Sequence, residues 1–412
     1  MIGGLLVSLV ALLVAAKAGG ALAERLGQPA VLGELLAGVA VGALPMVHVG
    51  GLAFMAHDRA VEALADLGVI LLLFEVGLST RLADLMKVGL SAFLVATVGV
   101  VVPMVLGWLV GVWLLPGRHP YVPLFLGATL SATSVGITAR VLKDLGRVRS
   151  PEGQIILGAA VIDDVLGLLV LAVTSGLLKG GGTGTGALLA SVAAKAVGFI
   201  VGALLLGRAI APRLFRFASR IRGSGVVFTL ALVVCFALSW IADAVGLAPI
   251  VGAFAAGLVL EGVGFEELLP QGDRLEHLLV PLSALLVPLF FVRMGLEVDL
   301  RALVGGSVGL ALALVVAAVL GKQACALAVA TRGADRLTVG LGMIPRGEVG
   351  LIFAGIGLEL NAGGRPVLGA GEFAAVVAMV LITTVLTPPL LKWRLGQVPA
   401  VADPATRRAT GG

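Results

Sequence analysis

The sequence predicts an all-α polytopic membrane protein of about thirteen transmembrane helices, built as inverted-topology repeats with two broken helices. Three observations predict it. Hydrophobic residues make up 59% and charged residues 13% of the 412 residues, with a mean hydropathy of +1.11, whereas soluble domains carry about twice that share of charge. Apolar runs of bilayer-spanning length follow one another along the chain. Two stretches from the first quarter recur past the middle with their glycines in register.

The runs fall at 3–23, 29–45, 60–78, 88–115, 121–143, 152–178, 186–210, 225–243, 246–261, 278–297, 302–330, 335–359 and 371–392. Each is bounded by charge or by Gly/Pro-rich breaks. Glu24 and Arg25 close the first, Pro45 the second, and Arg59 and Arg81 flank the third. Lys87 precedes the fourth, Arg118 separates it from the fifth, and Lys143, Asp144 and Pro151 divide fifth from sixth. Lys179 and a glycine run end the sixth, Arg208 the seventh, Asp243 the eighth and Glu261 the ninth. Glu276 precedes the tenth, Arg301 the eleventh and Asp335 the twelfth, and Lys392 ends the thirteenth. The first run ends in a small-residue Ala-Leu-Ala like a signal peptide, but it lacks a basic start, its one charge is Lys17, and it is long enough to span.

Nineteen Lys and Arg fall in the odd-numbered loops and the C-terminus against five on the other side. The positive-inside rule then puts the N-terminus outside and the C-terminus in the cytoplasm. The same asymmetry explains the net charge of +5 as topology, so nucleic acid is not an expected partner. Cys235 and Cys325 lie in apolar runs without CxxC spacing, which argues against a metal site or a disulfide.

"GQPAVLGELLAG" (27–38) and "GLAPIVGAFAAG" (246–257) match at Gly27/Gly246, Gly33/Gly252 and Gly38/Gly257, and Gly77 matches Gly295 at nearly the same separation. The matched spans are seven apart, so they must run oppositely through the bilayer, as in secondary transporters with midplane ion sites. Two broken helices are expected: "SATSVGITAR" (131–140), interrupted by Ser, Thr and Gly, and "GMIPRGEVGL" (342–351), interrupted by Pro345, Gly347 and Gly350. Irregular backbone at that depth requires a polar cavity.

"GAAVIDDVLGL" (158–168) buries two adjacent carboxylates, Asp163 and Asp164. A charge at membrane depth demands a partner and a role. Adjacent helical residues lie about 100° apart, so the two need different partners. One can be an oxygen ligand for a small cation, helped by Thr133 and Ser134, and the other can pair with Lys322, the one charge in its apolar span. A carboxylate that binds either a cation or a proton makes the two compete, and competition couples their fluxes without ATP. Glu75 and Arg293 precede the matched glycines by two residues, which suggests an ion pair between the third and tenth spans. Arg346 and Glu348 are expected to support the second break, while Glu34, Asp66 and Lys17 read as cavity or helix-end residues.

These motifs, with "QPAVLGELLAGVAVG" (28–42), "LFEVGL" (73–78), "ATSVGITARVL" (132–142), "LGK" (320–322) and "PRGEVGL" (345–351), resemble the monovalent cation:proton antiporter-2 family, within it the NapA-type bacterial Na⁺/H⁺ antiporters. The resemblance implies an NhaA-like antiporter fold and a homodimer in the bacterial inner membrane. In it, residues 1–78 and 225–300 form mainly the dimerisation scaffold, and 88–178 and 302–394 the ion-translocating core. The core is expected to move like an elevator, exchanging Na⁺ or Li⁺ for more than one proton with no cofactor. By position, Asp164 matches the ion-binding carboxylate, Asp163 the carboxylate beside the ion that pairs with the lysine, Lys322 that lysine, and Thr133 and Ser134 the unwound stretch. Arg293 departs from the usual apolar or small residue of the family. K⁺/H⁺ exchange and a sodium-coupled organic-solute carrier are the rival readings. A channel fits a titratable trap poorly, and an intramembrane aspartyl protease needs facing aspartates that neighbours cannot supply.

Overall fold

A computed structural model describes residues 2–44, 58–178, 185–218, 225–263, 275–296, 308–362 and 365–397. The helices are α1 (Ile2–Arg25), α2 (Ala30–Ala43), α3 (Arg59–Leu78), α4 (Leu82–Lys87), α5 (Gly89–Leu114), α6 (Tyr121–Ser131), α7 (Val135–Asp144), α8 (Pro151–Leu178) and α9 (Thr185–Ala218). They continue as α10 (Val226–Ala244), α11 (Pro249–Glu261), α12 (Leu275–Leu296), α13 (Val308–Gln323), α14 (Arg336–Gly342), α15 (Glu348–Glu359) and α16 (Ala370–Gln397). A 3₁₀ turn at Ala324–Ala328 tightens the end of α13, where one continuous helix was expected to residue 330, and a two-residue hairpin, β1 (Asn361–Ala362) with β2 (Arg365–Pro366), joins α15 to α16. Among the described residues nine segments are long and apolar enough to cross a membrane, and three shorter apolar helices accompany them. The chain is an integral membrane protein.

Both expected breaks are present. Residues 132–134 separate α6 from α7, and 343–347 separate α14 from α15. The short α4 had no counterpart among the expected spans.

Chain reversals at Gly27 and Gly246 use the same device. Each glycine follows a helix at positive φ (69° and 90°) and is followed by a closing bond, Gln28 N–H to Ala23 O at 2.8 Å and Leu247 N–H to Ala242 O at 2.9 Å. This is the Schellman arrangement, which satisfies helix-end carbonyls and which a side chain at the glycine would strain.

The helices sort into two groups. In one, α1, α2, α3, α10, α11 and α12 pack on each other; in the other, α5 to α8 pack with α13 to α16. Helix α9 touches α8 and α11, and the groups meet where α7 and α16 lie against α2 and α3. Within the first group the crossings rest on glycine. A Cβ on Gly38 would stand 2.0 Å from the Val292 carbonyl oxygen, and one on Gly295 2.2 Å from that of Leu35; at the α3–α11 crossing, Gly77 and Gly257 would each meet a carbonyl at 2.4 Å. Close backbone approach replaces the hydrophobic drive that lipid does not supply. Gly257→Leu should therefore lower the stability of purified protein by about 3 kcal/mol, the upper part of the overpacking range, read as a fall in thermal unfolding midpoint; an unchanged midpoint would contradict the crossing.

Helix α14 is only seven residues long and starts from a fixed cap. Asp335 accepts from Thr338 N–H at 2.9 Å and takes Arg394 of α16 at 2.9 and 2.7 Å. The Arg394 guanidinium, then the Thr338 donors, hold its carboxyl down at about 2, against the ordinary 3.8. A depressed folded value stabilises the fold above the unfolded value, and that stabilisation is lost as pH falls from about 4 through 2. Asp335→Asn should thus reduce stability at neutral pH by about 1 kcal/mol and lose part of the acid-limb slope in a midpoint-against-pH series. Equal acid sensitivity in both proteins would remove this assignment.

Candidate ion site

Breaking a helix inside a bilayer exposes backbone groups that water cannot reach, each costing several kcal/mol if left unpaired. The chain answers with opposite charges at opposite ends of the first gap. Lys322 of α13, fully buried, donates from Nζ to the Ser131 carbonyl at 2.8 Å, at the end of α6. Asp163 of α8, also fully buried, accepts from the Thr133 N–H at 2.7 Å, just ahead of α7. The cation thus sits at the negative end of one half-helix and the anion at the positive end of the next. The two close on each other, with Lys322 Nζ 3.3 Å from Asp163 Oδ1. Gly99 of α5 makes room, since a Cβ there would lie 3.2 Å from Nζ.

At the second gap a cation and two hydroxyls meet the freed carbonyls. Arg346, fully buried, donates from Nη1 to the Met343 and Ile344 carbonyls at 3.4 and 3.3 Å, at the end of α14. Thr138 of α7 donates to the Gly342 carbonyl at 2.7 Å, and Thr384 of α16 donates to the Arg346 carbonyl. The gaps touch: Ser134 N–H donates to the Pro345 carbonyl at 2.8 Å. That contact is tight enough that a Cβ on Gly347 would stand 2.7 Å from Ser134 Oγ.

Asp164 lines a cavity of about 780 Å³ between the two helix groups, with Gly347 and Thr384 on its own side and Glu62, Asp66 and Arg293 across from it. Thr133 Oγ1 is buried with no protein hydrogen-bond partner among the described residues. The first gap therefore brings Asp163, Lys322, Thr133 and Ser134 together, with Asp164 one residue along α8 facing the cavity. Asp66 lines that cavity, as expected of a cavity residue.

Two expectations need correction or qualification. Glu75 and Arg293 do not pair. Glu75 takes Lys143 of α7 and Ser283 of α12, and Arg293 takes Glu62 at 3.0 Å and Asp66 at 4.0 Å. Glu75 lies near the C-terminal end of α3, while the carboxylates that Arg293 reaches stand more than two turns earlier. The side chain of Glu348, which opens α15, lies outside the described residues.

Thr384 was not singled out from the sequence. "LITTVLTPP" (381–389) places three threonines in an apolar run before a double proline. Thr383 and Thr387 turn out to bond back to their own helix.

The family profile described as "Sodium/hydrogen exchanger, transmembrane" matches residues 8–395. The sequence is 38% identical to the high-affinity Na⁺/H⁺ antiporter NhaS3 of Synechocystis sp., covering 95% of this chain and 90% of that protein. It is 36% identical to the Na⁺/H⁺-K⁺ antiporter GerN of Bacillus cereus, over 93% and 95%, and 30% identical to the K⁺/H⁺ antiporter subunit KhtU of Bacillus subtilis, over 84% and 83%. Among solved structures, the sodium proton antiporter MjNhaP1 of Methanocaldococcus jannaschii at pH 8 superposes with a TM-score of 0.67, covering 95% of this chain and 97% of that one at 20% identity, a likeness of fold.

Proposed function

The chain belongs to the sodium/hydrogen exchanger family, and we propose that it is a secondary Na⁺/H⁺ antiporter in which Asp164 is the shared seat of cation and proton. One observation carries the assignment of the seat. Asp164 lines the cavity between the two helix groups, one residue along α8 from Asp163, whose oxygens meet Lys322 and Thr133 N–H at the first gap. An ionised Asp164 offers a hard oxygen ligand to Na⁺, with Thr133 Oγ1 and backbone carbonyls of the two gaps as further oxygens. A protonated Asp164 has lost the charge that holds the cation. Proton and Na⁺ therefore exclude one another, and flux of one down its gradient drives the other.

The positions of the gaps suit a site that is carried rather than threaded. Every group that fixes the seat, from α6, α7, α8, α13 and α14, belongs to one helix group, so that group can shift as a body with its ion. We assign the core role to residues 88–178 and 302–394 and the scaffold and dimerisation role to 1–78 and 225–300. The reciprocal pairing of Gly38 with Gly295 and of Gly77 with Gly257 supports an inverted repeat, because a two-fold axis that exchanges the matched spans carries one crossing onto the other. The Asp163–Asp164 pair supports placement in the antiporter-2 branch, and the loop-charge asymmetry a cytoplasmic C-terminus in the bacterial inner membrane. Exchange through Asp164 alone moves one proton per Na⁺. Electrogenic exchange needs a second titrating group, and we assign that role to Lys322, released from Asp163 as Na⁺ enters.

The test is purified protein in liposomes with an imposed pH gradient, followed by a pH-sensitive dye as Na⁺, Li⁺ or K⁺ is added. Na⁺ and Li⁺ should collapse the gradient, and K⁺ should do so less. Collapse by K⁺ alone would favour K⁺/H⁺ exchange, and no collapse in folded protein would move the reading to a sodium-coupled organic-solute carrier.

A further inference from the structure

The two helix groups touch very differently at the two ends of α3. At its N-terminal end, Glu62 and Asp66 border the cavity. Thirteen residues on, about 20 Å along the axis, buried Glu75 holds Lys143 of α7. Three more cations of the same group reach across at that end. Arg140 lies 3.7 Å from buried Glu34 of α2, Arg149 donates to the Ser79 carbonyl at 2.8 Å, and Lys392 donates to the Gly27 carbonyl at 2.7 Å. Between the two ends Gly136 of α7 abuts Val69 and Phe290, whose side chains a Cβ there would meet at 3.4 and 3.5 Å. One end thus borders the cavity, the middle is apolar, and the far end is closed by contacts of a single polarity: cations from the core group, carboxylates and carbonyls from the scaffold group.

A permanent tether would leave these charges nowhere else to go. Here both salt bridges have a stand-by partner. Arg140 also holds Asp144, four residues along its own helix, at 2.9 Å to each oxygen, and Glu75 also accepts from Ser283 of its own group at 2.5 Å. When the groups part, Arg140 keeps an anion and Glu75 keeps a donor, so neither of these two is left as a bare charge.

We propose that Lys143–Glu75 and Arg140–Glu34, with the Arg149 and Lys392 contacts, form a latch that closes one mouth of the transport pathway, and that these residues position the core by setting how often that mouth opens. The proposal rests on the antiport reading and on the core moving against the scaffold. Each pair favours one orientation of the core and is lost in the other, so removing it shifts the population rather than the chemistry at Asp164.

The test uses a reporter cysteine at Thr80, buried beside the Arg149–Ser79 contact, in a full-length chain with Cys235 and Cys325 replaced by alanine. Maleimide labelling and Na⁺-dependent proton flux in liposomes are measured for Glu75→Gln, for the more exposed Lys143→Gln, and for the charge-exchanged pair Glu75→Lys with Lys143→Glu. Each single variant should speed labelling about fivefold or more, a typical coupling magnitude, and shift the apparent KM for Na⁺, and the exchanged pair should restore both. Unchanged labelling in both single variants overturns the latch, as does a loss of flux without faster labelling that the exchanged pair does not repair. A parent chain that exchanges no Na⁺ for protons instead overturns the antiport reading, and the labelling arm still reports whether the contact opens.

Discussion

Asp164→Asn is expected to reduce Na⁺-driven collapse of a pH gradient to the level of protein-free liposomes, for Li⁺ as for Na⁺ and at every pH tried. Asparagine keeps the size and nearly the shape of aspartate, so the helix and the cavity wall survive. What disappears is the charge that holds a cation and the site that accepts a proton, and both substrates are lost together. Stability separates this from misfolding. Taking one carboxylate away from membrane depth removes a desolvation cost, and the amide keeps hydrogen-bonding groups in its place, so the unfolding midpoint of Asp164→Asn should stay close to that of the parent. Na⁺ in the buffer should raise the parent's midpoint, since a ligand of the folded state stabilises it by mass action, and should leave the variant's midpoint unmoved. Residual Na⁺-dependent flux in Asp164→Asn would place the seat elsewhere, with Asp66 and Glu62 of the same cavity the next to test.

The parts of this site that were legible in the sequence are those where local chemistry contradicts its surroundings. Two carboxylates and one lysine in apolar spans announce themselves by cost alone, and a pairing of one of the two carboxylates with Lys322 follows because few other charges share that depth; that Asp163 is the one came from the family resemblance, and the structure shows it. The gaps were legible for a similar reason: Ser, Thr and Gly at 131–138 and Pro and Gly at 345–350 interrupt helices that have no other cause to end. Partner choice between distant helices was not legible. Glu75 and Arg293 occupy matched positions of the two repeats, and matching was mistaken for meeting. Glu75 meets Lys143 at the far end while Arg293 meets Glu62 beside the cavity, as the proposed inverted repeat would entail, because a two-fold axis in the membrane plane would send equivalent positions toward opposite ends of the bundle. Thr384 was invisible for the opposite reason, since a threonine in an apolar helix ordinarily bonds back to its own turn, as its neighbours Thr383 and Thr387 do.

Lys322→Ala should be the most destabilising change at the ion site, and its repair should reveal how many protons move. Alanine strips Asp163, which has no solvent exposure, of its cation and leaves the Ser131 carbonyl without its donor. Breaking a buried pair by removing one partner costs about 3–5 kcal/mol, enough to depress both yield and unfolding midpoint. Adding Asp163→Asn removes the uncompensated charge, and the asparagine oxygen still accepts from Thr133 N–H, so the double variant should regain most of the lost stability. Its transport then separates the roles of the two carboxylates. Asp164 is intact and should still exchange Na⁺ for a proton, so a pH gradient collapses. With the Asp163–Lys322 pair gone, the second titrating group proposed for the extra proton is gone with it, and exchange should become one for one. The parent should therefore run faster when a potassium ionophore clamps the membrane potential, and the double variant should be indifferent to the clamp. A double variant that is stable, active and still accelerated by the clamp would show that Lys322 holds the first gap together without carrying a proton.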